Sequence, residues 1–370
     1  MKMNVLHFIC PTGLHGAERW ILALVKYLDR DSVRSVLAVS DESPDQDLSL
    51  CDKFEELGLV SHKLPLKGKY DPSILPGLIG CIKNENIHVL HTHGYKSDIL
   101  GLLAAKLAKI PVISTPHGFE DWSDFKMRLF VKAGLLSLKR FDRVVPLSED
   151  LQESLLSRGL STNKVTLIRN GVDTEEVLAC TNNSVANNRR ERVIGYVGRL
   201  DAHKNVTAIL DTFDLFSRNF SQNVRLELVG DGPGRQKLEE YASHLRSSAR
   251  IKFFGYRNDR LKIMKKFDLF CITSKREGIP RVIMEAMLLQ IPVTGFDVPG
   301  VNVLVKQNKT GLLAEYGNIG KLALCWQRIL ENQEFAQHLL SNGKGLILKD
   351  FSAKRMAAEY EKLYFHYKAL

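Results

Sequence analysis

Short apolar runs alternate with stretches of helical periodicity along almost the whole chain. Runs at 4–10, 33–39, 89–91, 111–114, 144–147 and 165–168 predict strands in the first half, and runs at 193–197, 225–229, 251–254, 268–272 and 292–294 predict strands in the second. Each run is too short for a helix and ends in a turn, after which apolar residues recur three and four apart. Alternation of this kind predicts βαβ units and parallel sheets, an α/β fold. The rhythm stalls once, at 178–192 (LACTNNSVANNRRER), a polar, asparagine-rich segment that reads as a linker. Two similarly built α/β halves follow, residues 1–180 and 181–350. Residues 351–370 then form a last amphipathic helix, with Met356, Tyr360, Leu363 and Tyr367 at helical spacing. Ligands of open parallel sheets sit outside the carboxyl ends of the strands, so two such domains can face one another across a cleft.

Composition narrows the class. With 370 residues, 44% hydrophobic and 25% charged, the chain is an ordinary globular protein of more than one domain. Its longest apolar stretch, 99–113, is broken by Lys106 and Lys109, which argues against a bilayer-crossing helix of about 20 residues. The opening MKMNVLHFIC turns into a loop too soon for the core of a secretion signal. Six scattered cysteines read as free thiols, so a cytoplasmic location is expected. The formal charge of +10 calls for an anionic partner: nucleic acid, anionic lipid or a phosphorylated substrate. Zinc-finger spacing, RNP-like motifs and unbroken Lys/Arg runs are absent from the sequence, so nucleic acid is not expected.

The richest chemistry lies in Glu277-Gly278-Ile279-Pro280-Arg281-Val282-Ile283-Met284-Glu285. An apolar run precedes it and helical spacing follows, so it is a strand-to-helix turn. Proline suits a first helical position, Gly278 lets backbone approach a ligand, and the free amides around Gly278 and Ile279 face an anion. A carboxylate beside an anion makes sense if it accepts hydrogen bonds from neutral hydroxyls, and a sugar diphosphate offers both groups. The alternative is that Glu277 and Glu285 merely offset the helix macrodipole, worth about 0.3 to 1 kcal/mol each. Upstream, Gly195 to Asn205 (GYVGRLDAHKN) ends a strand in a turn bearing Arg199 and Lys204, a planar fork and a compact charge suited to a diphosphate leaving group without a metal ion. Near the amino terminus, Pro11 to Glu18 (PTGLHGAE) is a glycine turn that lacks the full dinucleotide fingerprint. His117 sits between Pro116 and Gly118 after a predicted strand. His91 and His93 form an HxH pair that reads as structural, because no nearby cysteine or carboxylate completes a metal set. The pairs Asp29/Asp31 and Asp45/Asp47 fall in polar connections and read as solvated loops, so no metal site is expected.

Taken in order, HGAE, TPHGF, the Leu147-Ser148-Glu149 turn, IRNGVD, YVGRLDAHKN, LVGDGPGR, FFGY and EGIPRVIMEAM resemble the retaining glycosyltransferases of glycosyltransferase family 4. The resemblance spans nearly the whole chain. It implies the GT-B architecture: two Rossmann-like domains, the sugar nucleotide held mainly by the second, and a final helix crossing back to the first. It also implies that Arg199 and Lys204 hold the diphosphate, Glu285 the ribose hydroxyls and Glu277 the transferred sugar. Gly16 would approach the phosphate, His117 would lie near the reacting sugar, and Gly255 and Tyr256 would border the base. One departure is Val303, where many relatives carry glutamate. The implied donor is a UDP- or GDP-sugar with no further cofactor, and the implied acceptor is a glycan or lipid-linked saccharide of bacterial surface polysaccharide assembly. A GT-B-like sugar-nucleotide epimerase and a noncatalytic nucleotide-sugar or nucleic-acid binder are the alternatives. A basic amphipathic stretch, 125–143, adds an anionic membrane surface as a possible partner, and with it a peripheral site on the inner face of the cytoplasmic membrane.

Overall fold

The computed structural model describes residues 2–11, 13–66, 73–117, 125–180, 191–220 and 223–367, with residues 125–130 and 219 described in backbone alone. The chain divides into two compact units, Met1–Gly171 with Ala353–Leu370, and Val172–Ser352.

The first unit carries β1 (Met3–Ile9), β2 (Val33–Asp41), β3 (Val60–Pro65), β4 (Val89–Thr92), β5 (Val112–Ser114) and β6 (Arg143–Val144). They form one parallel sheet in the order β3-β2-β1-β4-β5-β6. Helices cover both faces, which is why β1 (MNVLHFI) is buried along nearly all its length. The helix Ala353–His366 belongs to this unit. It packs on the helix Gly16–Tyr27, with Trp20 and Tyr360 meeting edge to face at 5.3 Å.

The second unit repeats the plan with β7 (Glu191–Val197), β8 (Asn223–Val229), β9 (Ile251–Phe253), β10 (Leu269–Ile272), β11 (Val293–Phe296) and β12 (Leu312–Ala314). Its parallel order is β12-β11-β10-β7-β8-β9. In each sheet the first strand sits beside the fourth, β1 by β4 and β7 by β10, and the crossover connections leave to opposite sides there. That switch point is where an open α/β sheet leaves a crevice at its carboxyl edge.

Several expectations need correction. The segment 165–168 is no strand: Val165 makes a single bridge to Val144 at the sheet edge. The edge strands β3 and β12 were not expected from the pattern. The unit boundary falls at Gly171 rather than 180, because Val172 pairs with Ser352 and the helix Thr174–Ala179 packs on the helix Arg281–Leu288. Pro280 caps that last helix rather than occupying its first turn. Most of the expected linker, 181–190, lies outside the described residues.

Candidate active site

In the second unit the loops leaving β7 and β10 are stitched together at the switch point. Lys275 N–H donates to the His203 carbonyl at 2.9 Å, and the Thr273 hydroxyl donates to the Asn205 carbonyl at 2.9 Å. This brings Lys204 and Glu277 together from 73 residues apart: Lys204 Nζ lies 2.6 Å from Glu277 Oε1, which also accepts the Ser274 hydroxyl at 2.6 Å. The Lys204 side chain is 28% exposed and that of Glu277 10%, so the pair sits at the floor of the loop cluster rather than on open surface.

Arg199 is different. Its side chain is 63% exposed, and among the described residues its salt-bridge partner is Asp201 at 3.4 Å. Asp201 organises the turn, since its Oδ1 accepts the amides of His203 and Lys204 at 2.9 and 3.2 Å. The turn folds over the buried Tyr196, whose hydroxyl donates to the Arg199 carbonyl at 3.0 Å. A Cβ at position 198 would lie 2.5 Å from that hydroxyl, so Gly198 is required there. Opposite the turn after β10, Gly300 has φ +81°, and a Cβ there would meet the carbonyl oxygens of Gly278 and Glu277 at 2.0 and 2.3 Å. Backbone therefore packs directly against the Glu277-Gly278 turn. On its other side Gly278 is exposed, with open space where a side chain would stand. Ile279 is buried beneath it.

Glu285, one helical turn into Arg281–Leu288, is fully buried between two guanidinium groups, Arg260 Nη2 at 2.7 Å and Arg281 Nε at 2.9 Å, both on Oε1. Burial alone would raise its pKa. The two arginines outweigh that and hold the carboxyl below its usual range. Among the described residues the buried Oε2 has no hydrogen-bond partner. Arg281 was legible four residues before Glu285; Arg260, 25 residues away, was not. Tyr256 stands exposed after Gly255, and the Gly230 amide donates to the Gly255 carbonyl at 2.8 Å, tying the loops after β8 and β9.

In the first unit Gly16 opens its helix, exposed and without a crowding neighbour. Behind it the His15 amide donates to Glu18 Oε2 at 3.0 Å, which satisfies one free helix-end donor. His117 follows β5 and packs its ring edge to face on Trp20 at 5.2 Å. Burial lowers its pKa to about 4, so it stands as a neutral imidazole. His91 is pinned by two hydroxyls, Tyr364 on Nδ1 at 2.7 Å and Thr115 on Nε2 at 2.8 Å; Thr115 in turn contacts the Tyr360 hydroxyl at 2.7 Å. The final helix is thus wired to the segment that carries His117.

Comparison with known proteins identifies the family and the fold. Residues 14–176 match the family described as Glycosyltransferase Family 4, and residues 181–346 match Glycosyl transferases group 1. The chain is 27% identical to the UDP-Gal:alpha-D-GlcNAc-diphosphoundecaprenol alpha-1,3-galactosyltransferase of Escherichia coli, across 98% of this chain and 97% of that one. It is 22% identical to the capsular polysaccharide biosynthesis glycosyltransferase CapM of Staphylococcus aureus, across 82% and 84%. Among solved structures, HepE of Anabaena in complex with UDP superposes with a TM-score of 0.82 at 21% identity, covering 98% of this chain and all of that one. Sucrose-phosphate synthase of Thermosynechococcus elongatus gives 0.78 at 18%, covering 99% of each. With both halves matched to the same enzyme class and both sheets to the same architecture, the chain belongs to the family 4 glycosyltransferases of GT-B fold.

Proposed function

We propose that the enzyme transfers a sugar from a nucleoside diphosphate donor, of the UDP type, to a lipid-linked saccharide in bacterial surface polysaccharide assembly. We further propose that transfer retains the anomeric configuration and is independent of metal ions. The observation that carries this reading is the Lys204–Glu277 contact at the β7/β10 switch point, with Arg199 exposed on the same turn. A fixed ammonium and an exposed guanidinium suit the charge that builds on a leaving diphosphate, and an adjacent carboxylate suits the hydroxyls of the sugar. Arg199 and Lys204 are assigned to the diphosphate together with the backbone at Gly278 and Ile279. Glu277 is assigned to the transferred sugar, Glu285 to the ribose through its unpartnered oxygen, and Tyr256 to the border of the base. From the other unit, Gly16 is assigned to the donor phosphate and His117 to the reacting sugar. The UDP preference draws on the E. coli relative, whose name specifies UDP-Gal and a diphosphoundecaprenol-linked acceptor, and on the UDP bound to HepE.

The test is incubation of the protein with UDP-, GDP- and ADP-sugars, with and without a lipid-linked glycan fraction, following nucleotide release and product anomer. Acceptor-dependent release of UDP with an unchanged anomeric centre is expected. Conversion of the donor to a new nucleotide sugar without acceptor would mean an epimerase, and binding without turnover a noncatalytic protein.

A membrane-surface contact is a second reading, favoured by one patch. On the helix Phe125–Leu138, Leu136 is 58% exposed, and Lys132, Lys139 and Arg158 line the same shallow depression. Apolar area ringed by cations suits anionic lipid headgroups. The side chains of residues 125–130, which the sequence pattern also assigned to this face, lie outside the described residues. No helix among the described residues is long and apolar enough to cross a membrane; the proposed contact is peripheral, on the inner face of the cytoplasmic membrane. Flotation with anionic vesicles at low salt tests it; protein that stays at the bottom of the gradient removes the reading.

A further inference from the structure

Against the two central strands of the first unit's sheet lies a histidine cluster to which no role in transfer has been assigned. Parallel pairing of β1 with β4 sets His7 directly beside His91. His93 lies two residues beyond His91, and side chains alternate along a strand, so all three imidazoles point to one face. His7 and His91 are fully buried and His93 nearly so. One nitrogen from each lies within 4.8 Å of the others. His7 Nδ1 and His93 Nε2 lie within hydrogen-bond distance of each other, at 3.2 Å.

We propose that His7, His91 and His93 form a binding site for a divalent transition-metal ion of the zinc class, separate from the donor-binding loops of the second unit. Two nitrogens bound to a tetrahedral zinc at ordinary bond lengths stand about 3.3 Å apart, close to the separation of His7 and His93. Metal binding needs neutral rings with the proton on the outward nitrogen. His7 Nδ1 and His93 Nε2 share one proton when no ion is bound, and binding would shift it to an outward nitrogen; the outward atoms, His7 Nε2 and His93 Nδ1, have no hydrogen-bond partner among the described residues. His91 has a hydroxyl on each nitrogen; whichever nitrogen turns to the ion, the other keeps a partner that orients the ring, the arrangement usual for a metal-bound histidine. The set is all nitrogen, with no thiolate or carboxylate, which suits zinc, cobalt, nickel and copper over magnesium or calcium. An ion here would tie β1 to β4 beneath the final helix, a structural role.

The experiment uses the full chain without a histidine tag, stripped with chelator and dialysed against Zn2+ or Co2+. About one ion per chain is expected, together with the visible absorption of tetrahedral Co2+ and a raised melting temperature. His7→Asn and His93→Asn should abolish the Co2+ band, while His62→Asn, outside the cluster, should leave it intact. Circular dichroism of each variant checks that its fold persists. Metal-free wild-type protein after dialysis, or a Co2+ band that survives in folded His7→Asn and His93→Asn, overturns the site.

Discussion

Removing Lys204 separates its roles in folding and in chemistry. In Lys204→Met the Glu277 carboxylate keeps, among the described residues, only the Ser274 hydroxyl, in a place where its side chain is 10% exposed. An exposed ion pair is worth roughly 0.2 to 1 kcal/mol, whereas breaking a fully buried one costs about 3 to 5. With one partner 28% exposed, the pair lies between these limits, and a loss of about 1 to 3 kcal/mol in unfolding free energy is expected. Adding Glu277→Gln removes the stranded charge, so the double variant should regain part of that loss in urea titrations. Turnover should behave oppositely. Loss of one preorganised charge at a leaving group costs about 2.7 to 4 kcal/mol in the barrier, a hundredfold to a thousandfold in kcat, and neutralising Glu277 should not restore it. The assay is acceptor-dependent nucleotide release beside equilibrium unfolding. If Lys204→Met keeps wild-type kcat, or the double variant recovers it, the assignment of this pair to the diphosphate and sugar is wrong.

Three further outcomes follow from the same geometry. Arg199→Ala should lower kcat or donor affinity at least tenfold while leaving the melting temperature within about a degree, because its exposed side chain supports little of the fold; a large stability loss would show that its role is structural. Gly300→Ala places a Cβ against the carbonyls of Glu277 and Gly278 in a left-handed backbone, so a destabilisation above about 1 kcal/mol and a raised donor KM are expected, read by urea titration and initial rates. Glu285 has a depressed folded pKa, so its stabilising contribution is complete above its ordinary value of 4.5 and is lost as pH falls through the lower folded value. The stability gap between wild type and Glu285→Gln should therefore be constant at neutral pH and close on acidification. A gap that widens below pH 4.5 would reverse the sign of the argument.

Much of the fold was readable because both sheets are buried on both faces, which turns their central strands into continuous apolar runs such as LFCI in β10 and MNVLHFI in β1. The edges lacked that signal. β3 reads VSHKLP and buries only Leu64, so it does not stand out from a polar loop, and β12 (LLA), though buried throughout, is three residues long and too short to show a strand period. At the site, Arg199, Lys204 and Glu277 were picked out by their place at strand ends, and Glu285 by its place on the following helix. The partners that hold them were less visible. Arg260 reaches Glu285 from a distant helix, and His7 reaches His91 only through strand register, a pairing that local spacing does not encode. Val303, the departure from the family pattern, packs partly buried against the hydrophobic core of the second unit, as an apolar residue there should.

The first unit is made from two stretches of chain, and its last helix arrives at Ala353–His366. During synthesis from the amino terminus, the sheet that begins with β1 must wait for Tyr360 and Tyr364 before its inner face is closed. By then the whole of Val172–Ser352 has left the ribosome. The unit begun first is therefore finished last, and a chain cut after Arg355 keeps every part of the second unit while the first lies open along the helix Gly16–Tyr27.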